Sequence, residues 1–76
     1  MPAPPPEDPF LPQLEGYEAA RVPGVRAGKT YICPSCDAPI AAGVGHVVVW
    51  PEEQVEERRH WHQHCWRIAV RRRRVT

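Results

Sequence analysis

Three cysteines and four histidines carry most of the chemistry that this 76-residue sequence can offer. Cys33 and Cys36 stand as C-x2-C, with Pro34 stiffening the turn, a spacing that lets two thiolates reach one cation. Downstream, "HWHQHCW" holds His62 and Cys65 as H-x2-C, which puts both side chains on one face of a helix's first turn. Two thiolates from a knuckle plus an imidazole and a thiolate from a helix start make a closed four-coordinate shell. That shell is of the structural zinc type, with iron as the second option. It accounts for all three cysteines.

The other histidines compete for the fourth position. His64 adjoins Cys65 and projects about 100° away from it on a helix. His60 lies five residues before Cys65 and serves only if that stretch is extended, so both stay open as substitutes for His62. His46 opens the β-branched run "HVVVWP" and reads as a strand residue or as a hydrogen-bond partner behind a metal ligand.

A second chemistry is advertised by "GVRAGKT", residues 24–30. A phosphate-cradling loop needs G-x-x-x-x-G-K-[ST] between a strand and a helix, whose N-terminal N–H groups hold the phosphates. Here Gly24 and Gly28 are separated by three residues instead of four, the upstream segment is proline-rich, and the downstream "TYICP" is β-prone. No nucleotide is expected at Lys29. Nor is catalysis: a zinc deaminase would show H-x-E before P-C-x-x-C, and a closed thiolate shell leaves no position for an activated water. The sequence therefore reads as a binding module and not an enzyme.

The ligands must be positioned by a very small fold. A chain of this length supplies only ~3–5 kcal/mol from its core, so a staple is expected. An odd cysteine count and an N-terminus without a signal-peptide pattern argue against disulfides, and no apolar run reaches the ~20 residues of a membrane span. The expected location is cytoplasmic, with no membrane partner. Residues 1–24 hold seven prolines and are expected to form an extended acidic tail, in which Phe10, Leu11, Leu14 and Tyr17 could lie along the domain or engage a protein partner. Residues 25–76 form the single zinc-binding domain. Within it "KTYIC" reads as a strand into the knuckle, "APIAAG" as the turn leaving it, and "GHVVVWP" as a second strand stopped by Pro51. "PEEQVEERR" reads as a charged connection, and Gln63 to about Arg73 as a helix packing Trp66, Ala69 and Val70 inward. The result is a small zinc-stabilised α+β fold, treble-clef-like, of knuckle, β-hairpin and C-terminal helix. Its expected core is Trp50, Trp61, Trp66, Ile32, Ile40, Val47 and Val49.

Charge separates along the chain. Residues 31–57 carry five acids and no base, whereas 58–76 carry seven arginines and no acid, so the formal net charge of +1 hides a basic end. Nine arginines against one lysine, with abundant Ala, Pro, Gly and Val, suggest a GC-rich bacterial coding sequence.

The ligand pattern resembles a known one. "CPSCDAPIAAG", "VVVW" and "HWHQHCW" together are similar to the poly(ADP-ribose) polymerase-type zinc finger, with its C-x2-C, long insertion, and H-x2-C followed by an aromatic. Cys33, Cys36, His62 and Cys65 match its four zinc positions and Trp66 its aromatic. The chain also resembles short proteins of GC-rich bacteria with the arrangement C-P-x-C…H-V-V-V-W-P…R-R-H-W-H-x-x-C-W, some of which carry an ATP/GTP-binding label. Two functions from different classes follow. Nucleic-acid binding, DNA or RNA, would use Arg58, Arg59, Arg67, Arg71, Arg72, Arg73 and Arg74 against phosphates. A protein-interaction adaptor would instead use the zinc platform with the proline-rich tail or the Val47-to-Trp50 strand edge, and the acids Glu52, Glu53, Glu56 and Glu57 favour it.

Overall fold

A computed structural model of the protein describes residues 11–75. The chain runs through β1 (Tyr17–Val22), β2 (Tyr31–Ile32), β3 (Pro39–Ile40), β4 (His46–Pro51), β5 (Arg59–Trp61) and α1 (Gln63–Arg72). Single 3₁₀ turns cover Gly24–Arg26 and Val55–Glu57. The β-branched run "HVVVWP" becomes β4, the centre of an antiparallel sheet in the order β1-β4-β5. Val47 pairs with Trp61 on one side and with Arg21 on the other. β2 and β3 pair separately, Tyr31 with Ile40 and Ile32 with Pro39, as a miniature hairpin around the cysteine turn.

Two sequence expectations change here. Residues 17–22, placed in the tail, pair along the whole of β4 as β1. "YEAARV" has no apolar alternation to announce it; a central β-branched strand with an open edge gives it a backbone ladder to join. Likewise "APIAAG" is not turn throughout, because Cys33 N–H donates to Ala38 O at 3.0 Å and Asp37 N–H to Cys33 O at 2.9 Å. The chain is thereby folded straight back into β3. Leu11 enters the core and Leu14 and Tyr17 pack against it, so this part of the expected tail lies along the domain, whereas Phe10 falls among residues 1–10, outside the described residues.

The core gathers Leu11, Cys33, Ile40, Val47, Val49, Trp61, Trp66 and Ala69. Trp61 and Trp66 meet edge to face, with ring centroids 5.6 Å apart, an arrangement aromatic pairs favour. The Trp66 indole N–H donates to the Pro12 carbonyl at 2.8 Å and so ties the N-terminal segment to the helix. Ile32 is no core residue at 60 % exposure, and Trp50 is only half-buried. Strand alternation explains both, since Tyr31 and Cys33 face inward around Ile32 and Val49 faces inward beside Trp50. The Trp50 indole N–H instead donates to Glu18 at 2.9 Å across the β1–β4 pair.

Helix α1 ends with Arg73 in the left-handed region (φ 54°), its N–H reaching the Ala69 and Val70 carbonyls while Arg74 N–H donates to Ala69 O. This is a Schellman-type stop, and Arg71 and Arg72 in the last turn suit the negative end of the helix dipole.

Candidate metal centre

Each ligand position has a local cause. The β2–β3 hairpin presents Cys33 and Cys36 from its tight turn, while β5 delivers His62 to the N-cap of α1 and the first helical turn carries Cys65. One donor atom from each of these four residues lies within 4.8 Å of all the others. A zinc tetrahedron with Zn–S near 2.3 Å has sulfur–sulfur edges of about 3.8 Å, so the shell closes around an ion with small side-chain shifts.

His62 settles which ring nitrogen serves. Its Nδ1 lies 3.3 Å from Cys36 Sγ and 3.9 Å from Cys65 Sγ, and its Nε2 lies 3.3 Å from the Pro39 carbonyl. A carbonyl only accepts, so Nε2 carries the proton and Nδ1 turns its lone pair to the sulfurs. A backbone partner behind a ligating imidazole is how metal centres hold a tautomer.

The thiols differ in acidity. Burial alone would raise Cys33, but backbone N–H groups of His62, Cys36 and Ser35, together with the His62 side chain, bring its pKa down to about 6. Cys65 goes the other way, pushed up to about 12 by burial, by hydrogen bonding with Cys36 and Cys33, and by their charge. Three sulfurs this close cannot all ionise among themselves, and a divalent cation removes that conflict. The group is therefore able to hold one metal ion, and its donor chemistry fits zinc.

The other histidines lie elsewhere. His64 is exposed. His46 and His60 pair with each other, Nε2 to Nδ1 at 2.6 Å, and His60 stacks on Tyr31 with centroids 3.5 Å apart and planes 10° from parallel. Burial, followed by the electrostatic cost of a positive charge beside His46 and Arg58, holds the His60 pKa below the ordinary imidazole value. His46 lies in β4 as expected, but its hydrogen-bond partners are the Val44 carbonyl and His60, and neither belongs to the donor group. The strand register brings the two together: His60 pairs with Val48, two residues from His46 on the same sheet face.

All seven arginines named from the sequence are exposed, and they do not form one patch. Arg58 and Arg59 border a cleft shared with Lys29 and the knuckle, whereas Arg72 and Arg74 line a smaller recess with Pro34, Ser35 and Trp61. Lys29 itself is followed by β2 and not by a helix. The Val47-to-Trp50 edge proposed for partner pairing is not free, because β1 and β5 flank β4.

Residues 12–67 match the Rv1322 family, a span that takes in β1, both strands of the knuckle and all four donor residues. The chain belongs to the Rv1322 family. Protein Rv1322 of Mycobacterium tuberculosis and protein Mb1356 of Mycobacterium bovis are each 49 % identical to it over 59 residues, covering 72 % of this chain and 60 % of theirs. The chain thus spans about 60 % of the length of these curated relatives. No solved structure matches it. The family assignment carries no likeness to the poly(ADP-ribose) polymerase finger, which stays a similarity of ligand pattern. Among the described residues, no helix is long and apolar enough to cross a membrane.

Proposed function

We propose that this Rv1322-family chain is a treble-clef-like module built on one structural zinc ion, which binds nucleic acid through its arginines and performs no catalysis. Cys33, Cys36, His62 and Cys65 would be the zinc ligands, and four protein donors leave no open coordination position for substrate. Reduced, metal-bound cysteines suit a cytoplasmic setting. The observation that carries the nucleic-acid reading is that Arg58, Arg59, Arg67, Arg71, Arg72, Arg73 and Arg74 all stand exposed in a stretch without a carboxylate. Exposed arginines exchange counterions for phosphates wherever they make contact, so affinity should fall as salt rises, with log K against log salt losing about 0.9 per duplex phosphate contact.

The test is a salt series on zinc-loaded protein with duplex and single-stranded oligonucleotides, alongside Arg71→Gln with Arg72→Gln. A slope that flattens in the variant supports the reading. A wild-type chain with no measurable binding at low salt overturns it.

One observation favours the adaptor reading. A recess of about 260 Å³ between β4 and the C-terminal end is walled by Tyr17, Trp50, Pro51, Trp61 and Val75, an aromatic lining of the sort that takes protein segments. Partner capture with the full chain and with residues 11–76 tests it; identical capture removes the tail from the account.

A further inference from the structure

Between the knuckle and the stretch entering β5 lies an open cleft of about 820 Å³, the size of a small-ligand site. Three cations border it from two separate segments: Lys29 before β2, and Arg58 and Arg59 at β5. Asp37 and Glu56 also line it, so the cations exceed the carboxylates by one. Tyr31 and His60 contribute the stacked rings.

His60 is the oriented group in this cleft. His46 is 1 % exposed, and its Nδ1 lies 2.9 Å from the Val44 carbonyl oxygen, which only accepts. Nδ1 of His46 therefore carries a proton. With its proton at Nδ1, the imidazole has its acceptor at Nε2. That Nε2 lies 2.6 Å from Nδ1 of His60, which must donate, leaving Nε2 of His60 with a bare lone pair. The stack on Tyr31 and the bond to His46 hold the ring from its face and its edge. The cleft thus combines long cationic side chains with one fixed hydrogen-bond acceptor on an aromatic ring.

A ligand matching both has phosphate at one end and a ring amino group at the other, as an unpaired nucleotide does. In a duplex one hydrogen of that amino group is engaged in base pairing and the other is reached only along the major groove, whereas an unpaired base can turn its whole edge into a cleft. We propose that this cleft receives single-stranded nucleic acid, with Lys29, Arg58 and Arg59 on its phosphates and Nε2 of His60 accepting from the exocyclic amino group of an unpaired base. The inference rests on the nucleic-acid reading above and adds to it a place and a strand preference. It differs from a phosphate-cradling loop, since Lys29 acts here as a point charge at a cleft rim and not at a helix N-terminus.

The test measures fluorescence anisotropy of zinc-loaded full-length protein with labelled 12-nucleotide oligo-dC, oligo-dT and a 12-base-pair duplex. Thymine lacks an exocyclic amino group, so oligo-dC should bind several-fold more tightly than oligo-dT. Lys29→Gln with Arg58→Gln should weaken single strands about tenfold and the duplex much less, whereas Arg67→Gln with Arg71→Gln should weaken all three alike. His60→Phe would leave a buried nitrogen of His46 unpaired, so the exposed cation pair carries the test. A cobalt(II) charge-transfer spectrum equal to wild type shows that each variant keeps its metal centre. Equal loss for duplex and single strand in the cleft variant, or equal binding of oligo-dC and oligo-dT, overturns the inference while leaving nucleic-acid binding standing. A wild-type chain that binds none of the three overturns that broader reading as well.

Discussion

Lowering free zinc should melt this protein at a calculable rate. Among the described residues the core cluster is eight side chains, and two of them, Cys33 and Ile40, belong to the knuckle hairpin and enter the core only when that hairpin is closed. A core of this size supplies at best ~3–5 kcal/mol. Linkage supplies the rest: an ion that binds only the folded chain contributes about 4 kcal/mol when its free concentration is about a thousand times its dissociation constant. Each tenfold fall in free zinc then removes about 1.4 kcal/mol. For a domain of this length each kcal/mol moves Tm by roughly 4–8 °C, so Tm should drop about 6–11 °C per decade of free zinc. Thermal unfolding in zinc buffers spanning several decades measures this, and the Trp61–Trp66 edge contact gives a near-ultraviolet circular dichroism signal that reports the core itself. Cys65→Ser should show a weakened dependence and a lower Tm at every concentration. A Tm that stays level while bound zinc falls from one equivalent to none would refute the reasoning, because the fold would then stand without its staple.

Three further expectations concern single sites. Trp66→Phe removes the hydrogen bond to Pro12 and leaves a small void, so it should cost about 1–3 kcal/mol in denaturant unfolding; an unchanged midpoint would show that residues 11–16 are not tied down through the indole. Gly24→Ala would drive a Cβ into the Gly43 carbonyl, backbone against backbone, and should destabilise by more than about 1 kcal/mol while leaving zinc stoichiometry unchanged. Metal affinity should rise with pH: Cys33 is ionised above about 6 whereas Cys65 holds its proton until about 12, so zinc binding near neutrality must displace the Cys65 proton. About tenfold per pH unit is expected for each proton displaced. Titration calorimetry in buffers of different ionisation enthalpy counts those protons, and a pH-independent affinity would contradict the picture.

The donor residues were legible because metal geometry demands short, fixed spacings that survive in the sequence as C-x2-C and H-x2-C. The helix was legible from the inward spacing of Trp66, Ala69 and Val70, and β4 from its β-branched run. β1 was not, because "YEAARV" is recruited by the vacant side of β4 and carries no apolar alternation of its own. Gly24 was visible as a letter in a false phosphate loop. Its actual requirement, close approach to the Gly43 carbonyl, depends on a contact nineteen positions away that no local pattern records. The His46–His60 pair was hidden for the same reason, since it exists only once β4 and β5 are in register.

The division of the positive charge bears on which part of it matters. The family match covers residues 12–67, so Lys29, Arg58, Arg59 and Arg67 fall inside it and Arg71 to Arg74 fall beyond it. The terminal run has local roles: Arg71 and Arg72 meet the negative end of the helix dipole, and Arg73 and Arg74 make its stop. Within that run the charge itself is accounted for only at Arg71 and Arg72, since Arg73 and Arg74 act through backbone N–H groups; in the cleft, Arg58 also has a local contact, its side chain donating to the Val55 carbonyl at 3.3 Å. Lys29 and Arg58 line the cleft together with Pro34 and Asp37 of the knuckle, and a metal ion on the four donor residues would fix that knuckle. Ion removal should therefore abolish strand preference before it abolishes charge-driven binding, because arginines on an unfolded chain still attract phosphates but cannot present an unpaired base to His60.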